Sequence, residues 1–311
     1  MPSNANSKFR IGIDLGGTKI ELAVLDASNK VMMRKRVPTQ AQLGVDHIIS
    51  QITKLYLEAK SSYPAHTLGI GTPGSISEQT GLLRNSNTVC LNGIALQRVI
   101  EEALNCSVLI ENDANCFALA EATLGAGRNF ETVFGVIMGT GCGGGWVINK
   151  HLRRGPQRLA GEWGHMVLDP TGLSCFCGQH GCVETFISGS GVERHYQALN
   201  NSVGEQISCE SIFQMALSAE NSIAVKVVEQ FYSHLGQALA NLINMMDPDA
   251  IVLGGGLSNI DGLPELCRKK VAEKVFTKEF TTPIIRHLLG DSAGVIEIGR
   301  ASCRERVCQY V

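Results

Sequence analysis

Three cysteines and a histidine stand close together in the chain: His165, then Cys175, Cys177 and Cys182. Thiolate sulfur and imidazole nitrogen are ligands that zinc prefers. A closed set of four protein ligands leaves no position for water, which is the composition of a structural site. Gly178 and Gly181 permit the tight turn between Cys177 and Cys182. His180, inside the same loop, is a rival fourth ligand, although so short a loop would strain to bring it round. Without metal the same residues would be small buried side chains. Glu162 and Glu184 flank the set, so a metal here would brace a loop that presents carboxylates.

Three glycine-rich stretches form a second group. Asp14-Leu15-Gly16-Gly17-Thr18-Lys19 has the composition of a turn whose backbone N–H groups approach a phosphate, with Thr18 and Lys19 as added donors. Asp14 supplies a carboxylate that can hold Mg²⁺, directly or through water. An ordinary Gly-Gly hairpin would look the same locally. Gly139-Thr140-Gly141-Cys142-Gly143-Gly144-Gly145 carries five glycines in seven residues, more than a plain hairpin needs. Two such hairpins facing each other would clamp the phosphates of a nucleoside triphosphate. Gly254-Gly255-Gly256 follows an apolar run and offers bare backbone to a flat base or ribose. Finally, Glu111-Asn112-Asp113-Ala114-Asn115 places Asp113 where a strand gives way to a helix. Aspartate there is either an N-cap or a general base facing a cleft.

These residues need elements to position them. Alternation predicts a strand over Phe9 to Leu15, a return strand over Ile20 to Leu25 and a third over Val31 to Val37. Helical spacing follows over Val45 to Lys60, a short strand over Thr67 to Ile70, and a helix over Leu96 to Leu104. A strand over Ser107 to Ile110 leads into a helix over Asp113 to Leu124. The pattern then restarts: strand Val133 to Met138, a glycine turn over 139–145, strand Trp146 to Ile148. The repeated strand–turn–strand unit predicts an internal duplication and two similar domains. Ile223 to Met246 has the spacing of a long amphipathic helix, and Ala250 to Leu253 of a buried strand.

Composition bounds the function classes. The 311 residues are 44% hydrophobic with 34 glycines and a formal net charge of −2. Such a balance lacks the basic footprint of a general nucleic-acid or membrane-surface binder. No apolar run reaches the ~18 residues that a membrane span needs, and Met1 to Lys8 lacks the apolar stretch of a signal peptide. A cytoplasmic protein is expected, without nucleic-acid or membrane partners. Of the eleven cysteines, Cys90, Cys106, Cys116, Cys142, Cys209 and Cys267 are expected as small buried residues. From Glu297 the chain reads EIGRASCRERV, without periodicity and similar to a translated sequencing adapter. Residues 297–311 are therefore expected to be a non-native tail.

Taken together, DLGGTK, GTPGSIS, ENDANCFALAEA, GTGCGGG, GEWGH, CFCGQHGCVETFISG and IVLGGGLSN resemble the ROK family of sugar kinases, from about Phe9 to Val295. The resemblance implies an α/β protein with the actin-like ATPase (ribonuclease H-like) fold, two similar domains around a cleft. The expected division is a small domain over 1–118 and a large one over 119–296 that carries the zinc loop. GSISEQTGLLRNSNT and ETFISGSG look most like the bacterial fructokinase (mannokinase) branch, with N-acetylglucosamine or N-acetylmannosamine kinase as the alternative. The implied reaction is ATP-dependent phosphorylation of a hexose 6-hydroxyl. Asp113 would be the base, and Asn112, Glu162, His165 and Glu184 would bind sugar hydroxyls, with Gly74 and Ser75 lining the loop opposite. His165 would give one ring nitrogen to zinc and the other to the sugar. Gly12, Asp14, Gly16, Gly17, Thr18 and Lys19, with Gly139, Thr140, Gly141, Gly143 and Gly144, would hold the ATP phosphates and Mg²⁺. Gly254, Gly255 and Gly256 would hold the adenosine. The family implies a homodimer. It also includes sugar-responsive repressors with an N-terminal helix-turn-helix domain; only eight residues precede the first expected strand here, so an enzyme is the expectation.

Overall fold

The computed structural model describes residues 8–200, 206–219, 221–290, 294, 295 and 298. These fall into two compact units. The first takes the chain through Ala120, the segment Arg154–Leu159, and the described residues after Gly290; the second takes Glu121–Arg153 and Ala160–Gly290. Arg154–Leu159 lies within the stretch expected for the second domain, yet packs with the first unit.

In the first unit, β1 (Phe9–Leu15), β2 (Lys19–Asp26) and β3 (Val31–Pro38) form the expected meander, and α1 (Val45–Ser62) follows. After α1 come β4 (His66–Thr72), the small hairpin β5 (Ser75–Ile76) and β6 (Leu83–Arg84), α2 (Leu96–Leu104), β7 (Leu109–Asn112) and α3 (Asp113–Thr123). The sheet order is β3-β2-β1-β4-β7. β1 runs antiparallel to β2, and parallel to β4, which runs parallel to β7. The carboxyl ends of β1, β4 and β7 therefore share one edge. Ile11, Ile13 and Leu15 of β1 pack with Ile48, Ile52 and Leu55 of α1 in one apolar core. Burying each such side chain stabilises the unit by about 1.5–3 kcal/mol. Val295 and Ile298 are buried, and the missing side chain of Gly69 is what lets Ile298 approach β4. The other residues of the expected non-native tail, 297 and 299–311, lie outside the described residues.

The second unit repeats the plan. β8 (Thr132–Met138), β9 (Cys142–Ile148) and β10 (His151–Leu152) form an antiparallel meander. After the zinc-type loop come α4 (Val183–Ile187), α5 (Gly189–Asn200), α6 (Cys209–Leu217) and α7 (Ser222–Met246). β11 (Ala250–Gly254), α8 (Leu263–Ala272) and β12 (Ile284–Arg286) complete it. The order β10-β9-β8-β11-β12 mirrors that of the first sheet, with β11 parallel to β8. Phe231, Leu235, Leu239 and Leu242 of α7 pack with Phe134, Val136 and Leu253 of the sheet.

One expected turn is corrected. Only Gly139–Gly141 turn the chain; Gly143, Gly144 and Gly145 are strand residues paired with Ile137, Val136 and Gly135. The reason is tertiary. A side chain at Gly144 would run into Trp163 and Phe134, at 2.6 and 2.8 Å, so glycine here marks a close approach inside a strand.

Candidate functional site

In the first unit the sequence places carboxylates and amides at the strand ends. Asp14, near the end of β1, is in register with Gly71 of β4, which pairs with Glu111 of β7. Asn112 ends β7 and Asp113 opens α3. The helix is capped by Asn112, whose Oδ1 accepts from Asn115 N at 3.1 Å. Asp113 Oδ1 accepts from Ala114 N at 2.8 Å. Of the two roles open to Asp113, the N-cap thus belongs to its neighbour. Asp113 keeps part of its surface, and burial pushes its carboxyl above the usual range. The Asp14 carboxyl rises to about 7, first through burial and then through the negative charges of Asp113 and Glu21, with Lys19 and Arg36 opposing.

The loop after β4 comes to the same edge. Asn112 Nδ2 donates to Gly74 O at 3.1 Å. Gly74 has φ +83 and would place any side chain against Arg84 and Ser86 backbone, so only glycine fits. Ser75 is buried, and its hydroxyl has no hydrogen-bond partner among the described residues. Glu111, to which the sequence assigned no role, is also buried. Its Oε1 accepts from Asn112 N and from Asn115 Nδ2, both at 3.0 Å, and its Oε2 from Arg154 Nε at 2.5 Å. It holds the backbone and amide on either side of Asp113.

The turn between β1 and β2 is closed by Gly16 N donating to Lys19 O at 2.9 Å. Thr39, fully buried, binds it twice: its Oγ1 donates to Gly16 O at 2.6 Å and its N to Thr18 O at 3.0 Å. Sequence reading missed Thr39, whose only local signal is its place after Pro38. Gly12 is not part of this turn; it lies inside β1, paired with Ala23 and Gly69.

In the second unit, the turn between β8 and β9 is held from behind by the start of α5. Gly189 N donates to Gly139 O at 2.8 Å and Ser190 Oγ to Thr140 O at 2.7 Å. Glu184 Oε2 accepts from Cys142 N at 2.9 Å, and a side chain at Gly141 would meet this same oxygen. β11 ends beside β8, so Gly254–Gly256 emerge at the same sheet edge as this turn. Gly255, at φ +78, lies flat on the Met138 backbone, while a side chain at Gly256 would meet nothing within 4 Å.

His165, Cys175, Cys177 and Cys182 do converge, with their ligand atoms all within 4.8 Å of one another. Cys175 Sγ is 3.5 Å from His165 Nδ1 and Cys177 Sγ is 3.6 Å from Cys182 Sγ. A tetrahedral zinc with bonds of about 2.0 Å to nitrogen and 2.3 Å to sulfur needs edges of roughly 3.5–3.8 Å. The donor set fits that ion, and His180 is outside it. His165 ends a 3₁₀ turn, Trp163–His165, that Glu162 precedes. Glu162 O accepts from His165 N at 3.2 Å, which closes the turn. Trp163 anchors the turn by donating from Nε1 to Gly143 O at 3.0 Å. Glu184 lies in the first turn of α4, two residues after Cys182, and connects the Cys₃His cluster to the glycine turn.

Among the remaining cysteines, Cys116, Cys142 and Cys267 are buried as expected, while Cys90, Cys106 and Cys209 are half-buried. No helix among the described residues is long and apolar enough to cross a membrane.

Comparison with known proteins agrees with this geometry. Residues 10–302 match the ROK family. The N-acetyl-D-glucosamine kinase of Haemophilus influenzae (strain 86-028NP) is 36% identical over 296 residues, covering 91% of this chain and 96% of its own. That relative stands with the amino-sugar alternative, not with the fructokinase branch. Among solved structures, the ROK hexokinase of Thermus thermophilus is 29% identical with a TM-score of 0.82, over 96% of this chain and 99% of its own. The ROK glucokinase of Streptomyces griseus, solved with glucose and AMPPNP, is 28% identical with a TM-score of 0.81, over 94% and 98%. The fold is the actin-like ATPase fold, mixed α/β sheets in both units, and the chain belongs to the ROK family.

Proposed function

We propose that the protein is an ATP-dependent sugar kinase and that its acceptor is an amino sugar of the N-acetylglucosamine class, phosphorylated on the 6-hydroxyl. The observation that carries this reading is the state of Asp113. It sits at the edge where three parallel strands end, it keeps exposed surface, and Asn112 relieves it of capping. The amino-sugar choice rests on the Haemophilus influenzae relative. An unsubstituted hexose is the second reading, favoured by the structural likeness to the hexokinase and glucokinase.

Phosphoryl transfer depends on positioning and charge neutralisation. Asp113 takes the proton from the sugar hydroxyl as its oxygen attacks the γ-phosphorus, and ADP leaves. Asn112, Glu162, His165 and Glu184 bind the sugar hydroxyls, with Gly74 and Ser75 on the loop. Gly17 and Thr18, and Thr140 and Gly141, offer backbone N–H groups to the phosphates, and the open face of Gly256 takes the adenosine. Asp14 would hold Mg²⁺, which neutralises phosphate charge. The Cys₃His set would hold zinc, which fixes the orientation of His165 and the loop that carries Glu184.

The test is ADP release by the purified full chain with N-acetylglucosamine, N-acetylmannosamine, glucose, mannose and fructose. The expected order puts an N-acetylated sugar first in kcat/KM. Fructose ahead by tenfold would overturn the amino-sugar reading, and no sugar-dependent ADP release would overturn the kinase.

A further inference from the structure

The segment Arg154–Leu159 belongs by sequence to the stretch leading into Glu162, yet it is fastened to the first unit at three points. Arg154 pairs with the buried Glu111, Arg158 pairs with Glu78, and Arg84 Nη2 donates to Gln157 O at 2.6 Å. Between these fastenings the chain turns tightly, with Arg158 N donating to Gly155 O. Arg158 itself has φ +53. That left-handed conformation is unfavourable for a residue with a side chain and free of cost for glycine. An ion pair to the exposed Glu78 does not by itself offset it. Strain of this kind persists where the surroundings over-determine it, and it concentrates at ligand contacts.

Arg158 also lines a small cavity, together with Gly74, Ser75, Asn112 and Asn115. Ser75 and Asn115 are each only 7% exposed. Ser75 Oγ and Asn115 Oδ1 have no hydrogen-bond partner among the described residues. The cavity is thus lined by one residue with an unpaired hydroxyl, one with an unpaired amide oxygen, and Arg158, beside the buried Glu111 and the residue that caps the Asp113 helix. An unpaired buried polar group is costly unless a water or a ligand satisfies it.

We propose that the Arg154–Leu159 strap is a wall of the acceptor site and that Arg158 is a specificity-determining residue, donating to an uncharged oxygen-bearing substituent of the sugar, hydroxyl or acetamido. The proposal rests on the sugar-kinase reading. Glu78 restrains the guanidinium, and the pair Arg154–Glu111 ties the strap to the backbone that carries Asn112 and Asp113.

The experiment uses R158G, which relieves the backbone, and E78Q, which frees the arginine while keeping it. Acceptors differing only at carbon 2 are compared: glucose with N-acetylglucosamine, and mannose with N-acetylmannosamine. Both kcat/KM and nucleotide-free sugar binding by calorimetry are measured. For R158G the kcat/KM ratio within at least one pair should move by tenfold or more, with KM for ATP unchanged and Tm equal to or above the wild type. E78Q should move the same ratio in the same direction by less. A ratio constant within twofold in both pairs, or a fall in Tm with equal loss for every sugar, would overturn the wall and leave the kinase standing. A wild-type protein that neither binds nor phosphorylates any of the four would overturn the kinase reading, and the wall with it.

Discussion

Asp113 and Asp14 show how two like carboxylates at one sheet edge are kept distinct. Asp113 is raised by burial alone, whereas Asp14 also feels Asp113 and Glu21. For Asp113 the consequence is kinetic. Asp113→Asn keeps the size and removes the proton acceptor, so turnover should fall by roughly 10² or more with sugar binding largely kept. Near-normal turnover would end its assignment as base. For Asp14 the consequence is a stability that depends on pH. Its folded pKa of about 7 lies above the ordinary value of 3.8. The folded state therefore holds the proton more tightly, and this contribution is present in full below the unfolded pKa and lost as pH rises through 7. Asp14→Asn cannot ionise. Without ligands it should be more stable than the wild type at pH 8, by up to roughly 4 kcal/mol at ~1.4 per pKa unit, and equal to it near pH 4. Melting curves at the two pH values decide this; equal gaps at both would refute the sign.

The elements explain which parts of the site local sequence could foretell. Alternation in Phe9–Leu15 and the 3.6-residue spacing of Ser222–Met246 are strong periodic signals, and both elements form within a residue or so of expectation. Gly143 to Gly145 misled because glycine locally signals a turn. Trp163, eighteen residues further on, makes those glycines a strand, and no local rule contains that contact. The cluster was legible from spacing, His165 included, because the loop from Cys177 to Cys182 is too short to bring His180 round; the 3₁₀ turn that carries His165 to the three cysteines was not. Thr39 was silent for a similar reason, since its two bonds to the glycine turn span more than twenty residues. Thr39→Val removes the hydroxyl bond and keeps the backbone one. A net hydrogen bond is worth about 1 kcal/mol, so KM for ATP should rise several-fold while KM for sugar stays. Thr39→Ser should restore it. Equal effects on both substrates would mean a general loss of stability.

At the scale of the molecule, two sheets of matching order stand in two units, each with its own apolar core. The repeat of strand, glycine turn and strand revealed this duplication in the sequence. The return of Arg154–Leu159 to the first unit left no such trace, because it rests on ion pairs to distant residues. The metal set belongs wholly to the second unit. Zinc content should be one per chain, and Cys177→Ser should lower it. Chelation should lower the melting temperature of the second unit's transition and leave the first unit's in place. A fully active, metal-free preparation would remove zinc from the account.

Gly143 to Gly145 also bear on time. Glycine is the freest residue in an unfolded chain, and runs of it are ordinarily among the first amides to trade hydrogen with solvent. Here the run is paired to β8 along its length and sealed by an indole that takes hold of Gly143 O. The amide hydrogens it commits to β8 should exchange with deuterium only when the second unit opens as a whole, as slowly as those of Val136 opposite. The most flexible stretch in composition would then keep the slowest clock in the unit.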